Sequence, residues 1–465
     1  MKTESATYNK TMKIKYISIS IICIFVLGFQ SLNAQHTSST TVSGTITVDE
    51  AIDASGDYSG IIVTILGYSE FTGIDTLMTA ITDVRGNFSG TARFDVKSEF
   101  TGVVSRHGIN LASFGIILAE NDPVTIVGQL PDINLNLEIE SAEQEAMSTY
   151  ERVERSYNRV VDFINSGRIE VTQDTIPTLI NTWSDLFWSV QTLHPQTLAG
   201  DLGSLRSIEI LGGYDDEKLV KRMYEALTDG SVYKAAKVRL GADALFRLYG
   251  VEPAMALVDS MLTTNLMPED LITLQMDAIE IRIEHGKEQE AKELLLEFRQ
   301  QHAGNPMLAD WVENMVYDIE NLFPGMPVPD FSLQLLKGGR IQNTDLTGKL
   351  FLIEFANFAS PDFQTETTLL SFFYEQYKDR GFEIITIPIH DSRVTVSAFV
   401  EDRGITWPVV AAGQYNSADL ATTFNLSVLP TRFLVDSEGR IIRKYSGTNI
   451  GIIQNDISIL LNEES

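Results

Sequence analysis

The residues with the clearest capacity for chemistry lie where an apolar strand meets a helix. The segment 355–363 reads FANFASPDF, and it places Ser360 directly before Pro361 at a predicted helix start. A serine hydroxyl becomes a nucleophile only beside a base, and no histidine lies near Ser360 in the sequence. Serine before proline is also a common beginning of a helix, where the hydroxyl accepts a backbone N–H bond. We therefore expect Ser360 to cap the helix.

The sequence from residue 35 onward contains no candidate residues for thiol, metal or nucleotide chemistry. Cys23 is the only cysteine, so residues 35–465 contain no disulfide, thiolate nucleophile or cysteine metal ligand. No phosphate-binding loop or nucleotide fingerprint is present. The histidines show no metal-ligand spacing. They are His36, His107, His194, His285, His302 and His390. We expect neither a metal nor a cofactor.

The N-terminus has the pattern of an export signal. Lys13 and Lys15 precede an apolar run at 17–29, and a small residue, Ala34, follows. The run is shorter than the roughly 20 residues that span a bilayer as a helix, although a membrane anchor is the alternative. Cys23 lies inside the run, without the context of a lipoprotein signal. We expect residues 1–34 to be removed. The exported mature chain would have no membrane span and would lie in the periplasm, outside the cell or in the outer cell envelope.

Composition restricts the classes of partner. Hydrophobic residues make up 44% of the 465 residues, which is typical of folded domains, and the length predicts about three of them. The net charge of −28 repels the phosphates of nucleic acids and anionic lipid headgroups. Nucleic acid is therefore excluded as an expected partner.

Residues 35–140 have the alternation of short β-strands. Apolar and polar residues alternate at 42–47, and a turn with Gly86 separates two strand patterns. The region predicts a small antiparallel β-sandwich. Its S-G-T-I opening and D-x-x-G-N-F turn resemble carboxypeptidase-regulatory-type sandwiches. It also resembles the β domains that precede secreted bacterial thioredoxin-like domains.

Residues 141–323 change to helical periodicity. Two predicted helical hairpins turn at Gly250 and Gly286, which lie about one tetratricopeptide period apart. The region is weakly similar to tetratricopeptide repeats, and a plain helical bundle is an equal alternative. No catalytic cluster stands out in the preceding region, residues 35–140.

Residues 324–465 alternate strand and helix after a proline-rich link at 322–329, which predicts an α/β sheet with crossovers. The order of motifs includes Leu-Thr-Gly-Lys at 346–349, the strand at 350–355 and Val-Leu-Pro-Thr at 428–431. It resembles the secreted thiol–disulfide oxidoreductases of the TlpA class, within the wider thioredoxin and alkyl hydroperoxide reductase grouping. The resemblance implies a thioredoxin fold for the last third of a multidomain chain.

The sequence departs from the family pattern at the redox site. The family strand ends F-W-A-x-W-C-x-x-C, and Ser360 and Phe363 occupy the two cysteine positions. A peroxiredoxin alignment likewise places Phe363 at the reactive cysteine. We expect Phe363 to turn inward and fill the pocket.

Three further residues acquire roles from the resemblance. Glu354 matches the buried acid below the redox site, and without a thiol to serve we expect it to make structural hydrogen bonds. Pro430 matches the cis-proline of the fold, which should face the start of the helix at Ser360. Leu429 and Pro430 could border a peptide-binding groove.

The function predicted from these observations is that of an exported, redox-inactive thioredoxin-like protein. It would hold a protein partner of the cell envelope through the surface around Ser360, Phe363 and Leu429, together with the helical hairpins. One alternative is an oxidoreductase-family protein that acts with a partner's thiols. A purely structural role for the domain is a third possibility.

Overall fold

The protein is described from a computed structural model that covers residues 38–69, 73–165, 168–169, 175–447 and 450–463. The predicted export signal, its cleavage after Ala34 and Cys23 lie outside the described residues. In the described parts of the chain, no helix has the length and apolar character needed to cross a membrane.

The strand-rich N-terminal region consists of two four-stranded sheets, ordered β4-β1-β7-β8 and β3-β2-β5-β6, that share one hydrophobic core. The strands are β1 (Ser38–Val48), β2 (Ile61–Ser69), β3 (Gly73–Ile81), β4 (Asn87–Phe94), β5 (Ser98–Arg106), β6 (Ile109–Leu118), β7 (Val124–Leu130) and β8 (Glu138–Glu140). Alternate side chains of β7 are buried, as the period of two predicts. The expectation of a purely antiparallel sandwich was wrong, because β1 and β7 pair in parallel.

A helical region follows the sandwich. Its helices are α1 (Ala142–Asn165), α2 (Ile176–Leu193), α3 (Leu198–Leu211), α4 (Asp216–Ala226), α5 (Lys234–Tyr249), α6 (Val251–Leu262), α7 (Pro268–Glu284), α8 (Glu288–Gln301) and α9 (Pro306–Asn321). Gly250 separates α5 from α6 and Gly286 separates α7 from α8, both at positive φ (89° and 68°). Glycine adopts this backbone conformation without steric cost, which explains the two predicted turns.

The C-terminal region is built on a four-stranded sheet, ordered β12-β11-β13-β14. Its elements are β9 (Ser332–Gln334), β10 (Arg340–Gln342), β11 (Leu350–Ala356), α10 (Pro361–Tyr377), β12 (Phe382–Pro388), α11 (Arg393–Asp402), α12 (Ser417–Thr423), β13 (Thr431–Val435), β14 (Ile441–Ser446) and α13 (Ile450–Glu463). β11 pairs in parallel with β12 and antiparallel with β13. Apolar side chains form one core on each face of the sheet.

The chain divides into two compact units, and the division falls inside α7, between Leu274 and Gln275. In the first unit, helices pack on the sandwich: Ile117 of β6 shares a core with Ala146 of α1. In the second unit, the end of α7, α8 and α9 belong with the sheet of the C-terminal region. The domain boundaries at 34/35, 140/141 and 323/324 remain predictions from composition.

Candidate functional site

The candidate site lies at the carboxyl end of the central strand β11. All seven residues of this strand are buried, and it ends at Ala356 opposite Pro388 of β12. The backbone of Ile389 donates to the carbonyl of Ala356 over 2.8 Å. The loops after two parallel strands therefore meet at this edge, and α10 begins here.

Ser360 lies at the N-cap of α10, as predicted, with Pro361 at the first helical position. Its backbone is extended (φ −70°, ψ 126°), but its side chain makes no capping hydrogen bond. The expectation that the hydroxyl caps the helix was therefore wrong. The loop before it is held differently: the N–H of Ala359 donates to Asn357 Oδ1 (2.9 Å), and that of Phe358 donates to Asp391 Oδ2 (3.0 Å).

The Ser360→Ala substitution is expected to change the free energy of unfolding by less than about 0.5 kcal/mol, because no side-chain hydrogen bond is lost. A serine that truly capped the helix would cost about 0.5–2 kcal/mol on replacement. Urea melts of the parent and the variant separate the two values. The conservative variant Ser360→Thr serves as a control, and a loss above 1 kcal/mol for alanine would mean that the hydroxyl does cap α10.

Phe363 occupies the former position of the second cysteine, and it is buried, as predicted. Only 1% of its surface is exposed, and the same is true of Phe358 in the preceding loop. The two ring centroids lie 4.7 Å apart, and the ring of Phe399 from α11 lies 5.3 Å from Phe358 and 5.6 Å from Phe363. Three aromatic rings therefore fill the space beneath the helix start, and they join the loop, α10 and α11.

A fully buried ion cluster lies deeper in the same region. Glu354 of β11 and Arg432 of β13 are opposite each other in the sheet, and both have no exposed surface. Arg432 Nε donates to Glu354 Oε1 over 2.8 Å, and its Nη1 lies 2.8 Å from Oε2 of Glu366 on α10. The structural role predicted for Glu354 is consistent with this geometry. Arg432 and Glu366 were missed by the sequence reasoning.

Hydrogen bonds extend this ion cluster to β12 and to the start of α13. The hydroxyl of Thr386 donates to Glu354 Oε2 (2.8 Å) and accepts from Trp407 Nε1 (2.9 Å). The N–H of Ile450, at the start of α13, donates to Glu366 Oε1 over 3.4 Å. Burial alone would lower the pKa of Arg432, but its attraction to the two carboxylates outweighs burial and raises that pKa. Arg432 is therefore a permanent cation that joins β11, β13 and α10.

Leu429 and Pro430 lie at the same edge of the sheet as Ser360. The Leu429–Pro430 bond is cis, as predicted, and Thr431 pairs with Phe355 near the end of β11. Pro430 itself is buried, and its carbonyl accepts from the N–H of Gly447 over 2.8 Å. Leu429 is partly buried against the core. The surface available to a partner here is thus the exposed part of Leu429 and its flanking loop.

His390 and Asp391 reach this edge from the loop after β12, which the sequence order alone did not reveal. Burial raises the pKa of Asp391, while the Phe358 N–H and the nearby His390 oppose that rise. His390 is exposed, at a positive φ of 65°. Among the described residues, no hydrogen bond joins Ser360 to His390.

In the described parts of the chain, no group of three or more histidine, cysteine, aspartate or glutamate side chains is placed to hold a metal ion.

The sequence profile of the AhpC/TSA family matches residues 324–444. The thiol-disulfide oxidoreductase ResA of Bacillus subtilis (strain 168) is 29% identical over 129 residues, which cover 28% of this chain and 70% of that protein. The ResA protein of Geobacillus kaustophilus (strain HTA426) is 30% identical over 124 residues, which cover 27% of this chain and 70% of that protein. The predicted thioredoxin-like C-terminal domain is confirmed.

Solved structures of thiol–disulfide proteins match about a third of the chain. The thioredoxin domain of a thiol-disulfide oxidoreductase from Bacteroides vulgatus is 23% identical with a TM-score of 0.28, covering 30% of this chain and 97% of that one. A thiol:disulfide interchange protein from Bacteroides sp. is 24% identical with a TM-score of 0.28, covering 30% of this chain and 90% of that one.

Proposed function

The chain belongs to the AhpC/TSA family through its C-terminal domain, and on that premise we propose that it binds a partner protein of the cell envelope without thiol chemistry of its own. The binding edge would comprise the exposed part of Leu429 and the loop before it, with the buried Pro430 fixing the turn. Ser360 would lie beside this edge as a polar, unreactive residue.

The observation that carries this proposal is the burial of Phe363. Disulfide exchange requires a thiolate that can reach a foreign disulfide, and here the second cysteine position holds an aromatic ring packed against Phe358 and Phe399. No cysteine occurs anywhere in 324–465. Glu354 matches the acid below the redox site of the family. Here it is instead bound to Arg432 in the buried ion cluster.

A second candidate function rests on the names of the relatives, which are thiol-disulfide oxidoreductases. In this alternative the chain contributes to redox homeostasis of the cell envelope by acting together with a partner protein, and the partner supplies the thiols. Both functions place the protein outside the cytoplasm, after removal of residues 1–34.

Residues 35–465 are expected to catalyse no reduction of insulin by dithiothreitol, because disulfide exchange needs a thiolate and this segment has none. The rate of insulin precipitation measures the activity. The Bacillus subtilis ResA protein, assayed beside it, tests whether the conditions detect a related enzyme. A rate above the protein-free blank would contradict the proposal, whereas activity that appears only with an added thiol protein would favour the second candidate.

Capture experiments test the binding half of the proposal. Immobilised residues 35–465 and the variant Leu429→Ser are incubated with an envelope extract, and the bound proteins are identified by mass spectrometry. A partner that is retained by the parent and lost by the variant supports binding at this edge. Equal retention by both forms, or none by either, contradicts it.

A further inference from the structure

Helix α9 contacts the loop that leads to the candidate binding edge. This loop, residues 424–430, connects α12 to β13 and is called the Pro430 loop below. The hydroxyl of Tyr317 on α9 donates to the carbonyl of Thr423, the last residue of α12, over 3.1 Å. The side-chain amide of Asn425 donates to the carbonyl of Asn314, also on α9, over 2.9 Å. The loop is thus attached to the helix at its first residues.

A buried ion pair reinforces this attachment. Asp318 of α9 is 6% exposed, and both of its carboxylate oxygens lie 2.8 Å from Nζ of Lys444 on β14. The amide of Asn425 donates to Asp318 Oδ1 over 2.8 Å, while Lys444 Nζ donates to the Asn425 carbonyl over 3.1 Å. Asn425 is therefore bound through both its side chain and its backbone to one ion pair.

The backbone of Asn425 needs such support. Its φ of 45° lies in the left-handed region, which residues other than glycine seldom adopt. Asparagine tolerates this conformation better than most residues, but the conformation persists only where surrounding contacts hold it. The contacts that hold it come from α9 and β14, and the Pro430 loop has Leu429 near its other end.

We propose that Asp318 and Tyr317 of α9 are positioning residues that fix the Pro430 loop, so that this helix sets the shape of the candidate binding edge. This inference rests on the proposed function for one part, which is that the Pro430 loop binds a partner. The attachment itself can be measured without any partner.

Hydrogen exchange followed by mass spectrometry tests the inference on residues 35–465. In the variant Asp318→Asn, the amides of the Pro430 loop are expected to exchange about tenfold faster than in the parent, because a charged hydrogen-bonded partner is lost. Tyr317→Phe, which removes one hydroxyl and keeps the ring, should accelerate the same peptide about threefold. This milder variant keeps the test decisive if Asp318→Asn does not fold.

Glu284→Gln is the matched control. Glu284 of α7 also forms an ion pair with β14, through Arg443 at 2.5 Å, but it does not belong to the α9 contacts that hold the Pro430 loop. Its substitution is expected to leave exchange in that loop unchanged. Unchanged exchange in both α9 variants, or an equal rise in the control, would overturn the inference. Failure of partner capture with a responsive loop would instead refute only the binding role.

Discussion

Replacing Arg432 with methionine is expected to lower the free energy of unfolding of the C-terminal domain by about 3–5 kcal/mol. The substitution removes the guanidinium that pairs with both Glu354 and Glu366, and it leaves these two buried carboxylates without that partner. Arg432 and Glu354 have no exposed surface, and Glu366 has 1%, so water cannot replace the lost guanidinium. Calorimetry of residues 35–465 measures the loss as a fall in the melting temperature of this domain.

Two further variants establish that burial causes the effect. Lys292→Met removes a cation from a surface pair with Glu288, whose side chains are about half exposed, and it should cost no more than about 0.5 kcal/mol. The triple variant Arg432→Met, Glu354→Leu, Glu366→Leu removes all three charges and should recover most of the stability lost by the single variant. A single variant as stable as the parent would show that the cluster does not hold the domain together.

The members of the buried ion cluster differ in whether they could be predicted from the sequence. Glu354 stands in an otherwise apolar strand, and Arg432 stands in another, at 431–435. A charged residue in a buried strand requires a partner of opposite charge, so these two could have been paired from the sequence. Glu366 could not, because it lies on a helix with ordinary polar neighbours. Only the packing of α10 on the sheet brings it to Arg432.

The remaining parts of the site depend on contacts between distant segments. The strand and helix order, the cis bond before Pro430 and the burial of Phe363 follow from local patterns and the family resemblance. The approach of Phe399, Asp391 and helix α9 joins residues that are far apart in the chain. A single sequence carries no signal for such pairs, since an apolar or acidic side chain can pack against many partners.

Phe363→Ala is expected to destabilise the C-terminal domain by about 3–5 kcal/mol, as deletion of a packed aromatic ring does. The ring contacts Phe358 and Phe399, and with 1% of its surface exposed it leaves a cavity that those neighbours cannot close without moving. Thermal melts of residues 35–465 measure the loss.

Phe372→Ala is the matched control for this prediction, because Phe372 lies on the same helix with 67% of its surface exposed. Its replacement should shift stability by no more than about 0.5 kcal/mol. The comparison also separates the two roles that a phenylalanine at the former cysteine position could have. A ring that serves as a contact for a partner must be exposed. Its loss would abolish binding of the partner and leave the melting temperature unchanged. A ring that closes the pocket must be buried, so its loss lowers the melting temperature. An unchanged midpoint for Phe363→Ala would therefore contradict the closed site, and with it the argument that this edge binds without reacting.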